Sequence, residues 1–197
     1  MFARFKLQTD PMFADLPGLL AEEQNRIRSI LDIGCGYGVP GCWCLELCNK
    51  AKLVGIDPDA ERVRVAALAM GERAEVIVSG DSQLPHLPEP VDLVLLLDML
   101  HYLDDESVKK LFANSYGAMA ENGLLLIRYV IVPENREVSR AWKLENWRTG
   151  IRGGKACYRT QERMAALLAD GGFQVEVNQV TSRNEELVWL SGRVVKK

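Results

Sequence analysis

The residues of this chain best suited to chemistry lie where short apolar runs end in glycine and aspartate. Asp32, Gly34 and Gly36 close the first run, and Asp57 closes the second. Glycines at alternate positions, here within residues 34–38 (the glycine turn), let a chain turn sharply and bring its backbone against a ligand. A carboxylate at the second run end can accept hydrogen bonds from both hydroxyls of a ribose. This spacing predicts a nucleotide-binding site.

Two later apolar runs also end in acidic residues. Asp81, between Gly80 and Ser82, follows the third run, and Asp98 follows the most apolar run, residues 93–97. A carboxylate after the third run can accept a hydrogen bond from an adenine amine. Aspartate often ends strands and caps helices, but its presence at this many successive run ends exceeds what folding requires. We therefore expect these residues to share one site with the glycine turn.

The elements that must position these residues alternate between strand and helix. Apolar runs predict strands at residues 29–33, 52–57, 74–79, 91–98, 124–130, 173–180 and 186–195. Helices are predicted at residues 41–50, 58–70, 105–121 and 161–170, the third of them ended by Asn122 and Gly123. Repeated strand–helix units predict an α/β fold with a parallel sheet covered on both faces, and the fourth, most apolar strand is expected at its centre. The last two strands have no helix between them, which predicts an antiparallel hairpin.

One domain of this kind accounts for most of the chain. Its 197 residues are 48% hydrophobic, which suffices for one substantial core. We predict a short helical cover over residues 1–28 and the sheet domain over residues 29–197. Residues 132–159 are too long and irregular for a simple connection, so we predict that they form a lid over the acceptor.

Composition argues against several classes of function. A net charge of −3 does not suit a nucleic-acid-binding protein, and the apolar runs fall far short of a membrane span. The first six residues lack the apolar core of a signal peptide, which predicts a cytoplasmic protein. Cys42, Cys44 and Cys48 crowd one predicted helix, and the chain has only two histidines, so we expect reduced thiols and no bound metal.

Five short segments of the chain share their order and spacing with those of a known enzyme family. They are residues 31–38 (LDIGCGYG), 54–58 (VGIDP), 80–82 (GDS), 91–95 (VDLVL) and 122–126 (NGLLL). On these segments the chain resembles the class I S-adenosylmethionine-dependent methyltransferases over almost its whole length. The resemblance implies a Rossmann-like, doubly wound, seven-stranded, mostly parallel sheet with a C-terminal antiparallel hairpin. It also implies methyl transfer from S-adenosylmethionine to a small molecule, and residues 2–11 resemble the start of a bacterial subgroup.

The same resemblance assigns roles to particular residues. It implies that Asp32, Gly34 and Gly36 lie against the methionine part of the cofactor and that Asp57 holds the ribose. The third run end would hold the adenine, and residues near Asp98 would face the methionine amino group through their backbone. The implied cofactor-binding set is Asp32, Gly34, Cys35, Gly36, Asp57, Pro58, Gly80, Asp81, Ser82 and Asp98.

Two other functions remain open on the sequence. Residues 36–41 fit the pattern G-x-G-x-x-G, and Asp57 falls where a ribose acid belongs, so a nicotinamide-dinucleotide-dependent oxidoreductase is an alternative. Asp32, Asp81 and the closing hairpin favour the methyltransferase. A non-catalytic domain that binds the cofactor is the third reading, and a labelled-methyl assay distinguishes it from an enzyme.

His101 is the candidate catalytic residue, because it follows Asp98 by three positions at the exit of the fourth strand. A sulfonium methyl is already electrophilic, so a general base is needed only if the acceptor is protonated. The alternative is that His101 is a polar residue at the start of a loop. Tyr102 and Tyr129 are candidate walls of the acceptor pocket, or else aromatic residues of the core.

The predicted lid carries the candidate substrate residues. Residues 132–159 contain seven basic and three acidic residues, a local charge of +4 in an acidic chain. Arginine and tryptophan together suit an anionic ligand with an apolar or aromatic body, including a lipid-like one. The residues predicted to contact the acceptor are Arg140, Trp142, Trp147 and Arg148. The alternative is an amphipathic helix whose basic face is only solvated.

Overall fold

A seven-stranded sheet forms the centre of the protein. The structure is a computed structural model that describes residues 9–80, 84–131, 143, 156–182 and 184–196. Within these residues the strand order is β3-β2-β1-β4-β5-β7-β6. The strands are β1 (Ser29–Ile33), β2 (Lys52–Asp57), β3 (Ala74–Val78), β4 (Val91–Leu97), β5 (Met119–Val130), β6 (Phe173–Val180) and β7 (Leu187–Val194).

The pairing of the strands confirms the predicted fold class. Strands β1 to β5 pair in parallel, and β7 runs antiparallel to both β5 and β6. Strand β4 lies fourth in the order of seven, at the centre, as its apolar composition predicted. Between β1 and β4 the strand order reverses direction, which creates the crevice where open α/β sheets bind their ligands.

Five α-helices in the described residues cover this sheet. They are α1 (Met12–Leu19), α2 (Val39–Leu47), α3 (Ala60–Met70), α4 (Asp105–Ala118) and α5 (Gln161–Asp170). One core lies between the sheet and α4 with α5, where Phe112 and Leu167 are fully buried. The other lies between the sheet and α1, α2 and α3, where Leu16 and Cys44 are fully buried.

Most element boundaries agree with the sequence prediction, but the junction of α4 and β5 does not. The Asn122–Gly123 pair was predicted to end a helix, whereas α4 already ends at Ala118 and β5 begins at Met119. Met119 is fully buried and pairs with Val91, so the chain must join the sheet there. The next residues bulge out of the register before pairing resumes, and Asn122 adopts a φ of 60° within this bulge.

The first helix is fastened to the sheet by polar contacts as well as by its apolar face. The indole Nε1 of Trp189 on β7 donates a 2.9 Å hydrogen bond to Asp15 Oδ2. Arg128 on β5 pairs with Asp10, just before α1. Helix α1 lies inside the segment predicted as a helical cover. Among the described residues, no helix is long and apolar enough to cross a membrane.

Candidate active site

The glycine turn lies at the crevice between β1 and β4 and links it to β2. The backbone N–H groups of Gly34 and Cys35 donate to the Ile56 carbonyl, at 2.8 and 3.0 Å. A side chain added at Gly34 would lie 3.3 Å from Met99 Cβ, so the turn also packs against the segment that follows β4. The sheet therefore brings the ends of β1, β2 and β4 together, as the sequence predicted.

The three glycines of the turn are required for different structural reasons. All three adopt positive φ angles: 76° at Gly34, 56° at Gly36 and 77° at Gly38. Gly38 caps α2, and a Cβ there would lie 2.7 Å from Met70 Cε and 3.2 Å from Ala66 Cα, so close packing against α3 demands a glycine. A Cβ at Gly36 would meet no atom of the described residues within 4 Å. Gly36 thus leaves open space above the turn.

Asp57 borders that open space and fixes the turn. Its side chain is buried, and its Oδ2 accepts a 2.9 Å hydrogen bond from the Gly36 N–H. Its Oδ1 accepts a 2.9 Å hydrogen bond from the Asp59 N–H. The guanidinium of Arg62 lies 4.0 Å from Oδ2 and stands over the Tyr37 ring, 5.9 Å from its centroid. Because each carboxylate oxygen accepts more than one hydrogen bond, Asp57 retains capacity for ligand hydroxyls.

Asp32 and Cys35, which were predicted to contact the cofactor, are both buried. Asp32 is 2% exposed, and a side chain at Gly41 would lie 3.0 Å from its Oδ2, so this carboxylate sits beneath the first turn of α2. The partial positive charge of a helix start favours an acid in that place. The Cys35 thiol packs against Gly55, and burial, reinforced by the negative charges of Asp32 and Asp57, raises its pKa.

Asp98 is held by Arg128, a residue that the sequence reasoning missed. Arg128 donates from Nε to Asp98 Oδ1 at 2.8 Å and from Nη2 to Oδ2, and the Asp98 N–H donates to the Arg128 carbonyl at 2.9 Å. The same guanidinium pairs with Asp10 and is only 2% exposed. A signal was present: an arginine between Ile127 and Tyr129 in an apolar strand requires a buried acidic partner.

His101 is buried in a short 3-10 turn, Leu100–Tyr102, at the exit of β4. Its ring centroid lies 4.0 Å from that of Tyr102, with the planes tilted by 45°. Tyr158 lies parallel to it at 6.0 Å. The carbonyl of His101 accepts a 2.8 Å hydrogen bond from the Cys157 N–H. The histidine is therefore enclosed by two tyrosines, one of which comes from the end of the predicted lid segment.

Arg159 does not belong to a solvated basic face, although it was counted among the charges of residues 132–159. It is 7% exposed, and its Nη atoms donate to the carbonyls of Leu100, Leu103 and Cys157 at 2.6 to 3.0 Å. Its Nε donates to Asp105 Oδ1 at 2.7 Å, which neutralises the charge. Arg159 thus fastens residues 156–159 to the turn that carries His101.

The remaining predicted residues differ in their placement. Tyr102 is 46% exposed beside His101, whereas Tyr129 is buried in the core on the side of α4 and α5. Within the described residues the Tyr129 hydroxyl has no hydrogen-bond partner, and burial raises its pKa. Pro58 and Gly80 are exposed at the ends of β2 and β3. Outside the described residues lie Asp81, Ser82, Arg140, Trp142, Trp147 and Arg148.

All five cysteines are free thiols, and burial raises the pKa of Cys48 to about 11. In the part of the chain that the structure describes, no group of three or more histidine, cysteine, aspartate or glutamate side chains is arranged to hold a metal ion.

The sequence of the chain matches the model of one known protein family and several known proteins. The family model for the methyltransferase domain matches residues 6–177. Phenazine-1-carboxylate N-methyltransferase of Pseudomonas aeruginosa is 29% identical over 173 residues, which cover 83% of this chain and 48% of that protein. Anthranilate N-methyltransferase of Ruta graveolens is 33% identical over 154 residues, which cover 76% of this chain and 40% of that protein. The chain thus spans about half the length of such relatives.

Solved structures agree on the fold. Human N-acetylserotonin methyltransferase in complex with S-adenosylmethionine superposes with a TM-score of 0.70 at 20% identity, over 98% of this chain and 56% of the other. At this identity the superposition establishes the shared fold.

Proposed function

The chain belongs to the methyltransferase-domain family, and we propose that it transfers a methyl group from S-adenosylmethionine to a small aromatic acceptor that carries an anionic group. The observation that carries the proposal is the open space over Gly36 beside the buried Asp57 carboxylate, at the reversal point of the strand order. A backbone that leaves room for a ligand, next to an oriented acid, suits a nucleoside. Asp81 and Ser82, the proposed adenine contacts, follow the exposed Gly80 in the sequence.

The residues of the turn also suit a cationic cofactor. The carboxylates of Asp32 and Asp57 lie beside the turn and favour positive charge there. The raised pKa keeps the Cys35 thiol protonated. This matters because a thiolate beside a sulfonium would itself be a nucleophile. The turn therefore holds a small side chain that does not compete with the acceptor.

S-adenosylmethionine supplies an electrophilic methyl group when it is bound. The proposed task of His101 is to accept a proton from an acceptor hydroxyl or amine as that atom attacks. Tyr158 and the Cys157–His101 backbone hydrogen bond fix the imidazole, and the burial of His101 limits water around it. Tyr102, exposed beside His101, is a candidate wall of the acceptor pocket.

The acceptor class rests on two independent supports. The names of the two reported relatives each specify an aromatic carboxylate. Residues 132–159 of this chain have a local positive charge and contain Trp142 and Trp147. Arg140 and Arg148 are proposed to hold the carboxylate, and the segment is proposed to close over the acceptor.

The test of the function has two arms. In the first, calorimetry compares S-adenosylmethionine, its demethylated product and NAD; we expect binding of the two sulfur compounds. In the second, labelled cofactor is incubated with aromatic carboxylates and with their decarboxylated analogues, and we expect transfer only to the former. Binding of NAD alone would establish the oxidoreductase reading, and cofactor binding without transfer to any aromatic would support a non-catalytic domain.

The proposed substrate role of the basic segment has its own test. Replacement of both Arg140 and Arg148 by Gln should raise the Michaelis constant for the acceptor and reduce its salt dependence, while cofactor affinity is retained. Unchanged turnover in the double variant would assign these arginines to a solvated face. The free thiols support a reducing compartment, so we also propose a cytoplasmic location. The bacterial subgroup stays a prediction.

A further inference from the structure

Arg128 places a buried positive charge in the central sheet, at a position where the fold alone does not require a charge. It lies on β5, the neighbour of β4, and is 2% exposed. Burial lowers the pKa of its guanidinium, but the carboxylates of Asp98 and Asp10 outweigh that effect and raise it. A buried ion network of this kind is poor support for stability alone, since apolar side chains of similar volume serve as well. Its position therefore calls for another reason.

The first partner of Arg128 is in an unusual backbone conformation. Asp98 has a φ of 61°, a left-handed value that glycine adopts freely, that aspartate and asparagine adopt occasionally, and that costs free energy in alanine. Arg128 binds the residue on both sides of its Cα, by accepting from its N–H and by donating to both carboxylate oxygens. Asp98 directly follows β4, and its successor Met99 packs against Gly34 of the glycine turn. The network thus sets the backbone at the edge of the proposed cofactor site.

The second partner connects this point to the beginning of the described chain. Asp10 bonds the Nη atoms of Arg128, and its Oδ1 also accepts from the N–H of Met12 in the first turn of α1. Trp189 binds the same helix at Asp15, and its ring lies 5.8 Å from the Arg128 guanidinium carbon. One guanidinium therefore contacts the anchor of α1 and the end of β4.

We propose that Arg128 is a positioning residue for cofactor binding, which holds Asp98 in its left-handed conformation and couples that conformation, through Asp10, to the docking of α1. The inference rests on the proposed function, because it assigns the left-handed backbone at position 98 to the cofactor-competent state. Asp98 then acts through its backbone, and its carboxylate serves Arg128 rather than the cofactor. Asp10 and helix α1 then influence cofactor binding indirectly, through Arg128.

The decisive comparison is between two variants at one position. Asp98→Ala and Asp98→Gly both remove the carboxylate, but only glycine adopts the left-handed conformation without cost. Calorimetry with S-adenosylmethionine should show that Asp98→Ala binds about tenfold more weakly than Asp98→Gly, which is the cost of a left-handed alanine. Equal losses in the two variants would mean that the carboxylate itself meets the cofactor, and affinities equal to the wild type would mean that position 98 is not involved. Either result overturns the proposal.

A matched control and a double-mutant cycle between positions 10 and 98 complete the test. Asn122, at a φ of 60° in the β5 bulge, is the other non-glycine residue at positive φ in the described chain. Asn122→Ala and Asn122→Gly should differ in thermal stability but not in cofactor affinity. Asp10→Asn should weaken cofactor binding severalfold in the wild type and add no further loss to Asp98→Gly, because the Arg128 guanidinium then has no carboxylate to bind at position 98. Additive losses would refute the coupling. If the wild type binds no S-adenosylmethionine at all, the proposed function fails instead, and the affinities distinguish the two cases.

Discussion

The rings of His101 and Tyr158 lie nearly parallel, with an angle of 11° between their planes and 6.0 Å between their centroids. They lie fifty-seven positions apart in the chain, so local sequence does not create this contact. It depends on two links, the Cys157–His101 backbone hydrogen bond and the buried guanidinium of Arg159. The segment after residue 155 therefore orients the candidate base.

Replacement of His101 by Gln should reduce kcat by a factor of about 10²–10⁴, the usual contribution of a general base. Tyr158→Ala should reduce kcat about tenfold and Tyr158→Phe much less, because phenylalanine keeps the parallel ring that the aromatic pair requires. Steady-state kinetics of the wild type and of these variants checks both. A His101→Gln enzyme with normal kcat would remove this residue from catalysis.

Arg159 and Arg163 offer a matched pair for stability, because both bind the Asp105 carboxylate. The Arg159 side chain is 4% exposed, and that of Arg163 is 48% exposed. Arg159→Met removes the guanidinium hydrogen bonds to the Leu100, Leu103 and Cys157 carbonyls, so we expect a loss of about 2–4 kcal/mol in the free energy of unfolding. Arg163→Met should cost about 1 kcal/mol or less, as for an exposed ion pair. Urea denaturation compares them, and equal losses would show that the buried hydrogen bonds add nothing.

The pKa of Asp105 predicts how its contacts with Arg159 and Arg163 respond to acid. Hydrogen bonds from Arg163 and Arg159 lower the pKa of its carboxyl group below the usual value. A depressed pKa means that the stabilisation is present above the unfolded-state pKa, about 3.9, and is lost as the pH falls through the folded-state value. Asp105→Asn should therefore lower the melting temperature at pH 7, and the difference from the wild type should shrink below about pH 4. Glu106→Gln is the control, since Glu106 pairs with Lys109 at an exposed site.

The glycine turn separates a packing role from a ligand role. Gly38→Ala should destabilise the protein by about 2 kcal/mol or more, since the methyl group meets α3 and the φ of 77° adds strain. Gly36→Ala should fold with only the backbone cost of about 1–2 kcal/mol, yet its methyl group enters the proposed cofactor space and should weaken cofactor binding tenfold or more. Gly71→Ala, at a φ of 66° with open surroundings far from the site, should leave cofactor affinity unchanged. Calorimetry and thermal melts separate these effects.

The sequence predicted the sheet well because the periodicity of apolar residues and the residues that end strands and helices are local signals. Strands β1, β2 and β6 and helix α5 begin and end at the predicted residues. The Asn122–Gly123 pair misled the prediction, because the same two residues that often end a helix also suit a bulge within a strand. What decided between them was the burial of Met119 against a distant strand, which no local pattern reports.

The site was predictable in position but not in the use of its side chains. The order of strands placed the glycine turn, Asp57 and His101 at neighbouring strand ends. An arginine in an apolar strand implies a buried acidic partner for Arg128, but the sequence did not indicate that Asp98 is that partner, or that Arg159 is buried rather than solvated. Both depend on pairings between residues at least thirty positions apart, where charge patterns along the chain carry no information.

Asp57→Asn tests the acid at the centre of the site. The amide keeps the shape of the side chain but has only one accepting oxygen, so either the Gly36 or the Asp59 N–H loses its partner. We expect a loss of about 1–3 kcal/mol in the free energy of unfolding and a tenfold to hundredfold loss in cofactor affinity, the range for a hydrogen bond to a buried charge. Asp59→Asn is the matched control: Asp59 is exposed and caps α3 by accepting from the Glu61 and Arg62 N–H groups, a role in which asparagine serves equally well. Calorimetry on the two variants should therefore separate them by at least tenfold in affinity, and a folded Asp57→Asn protein with wild-type affinity would place the ribose elsewhere.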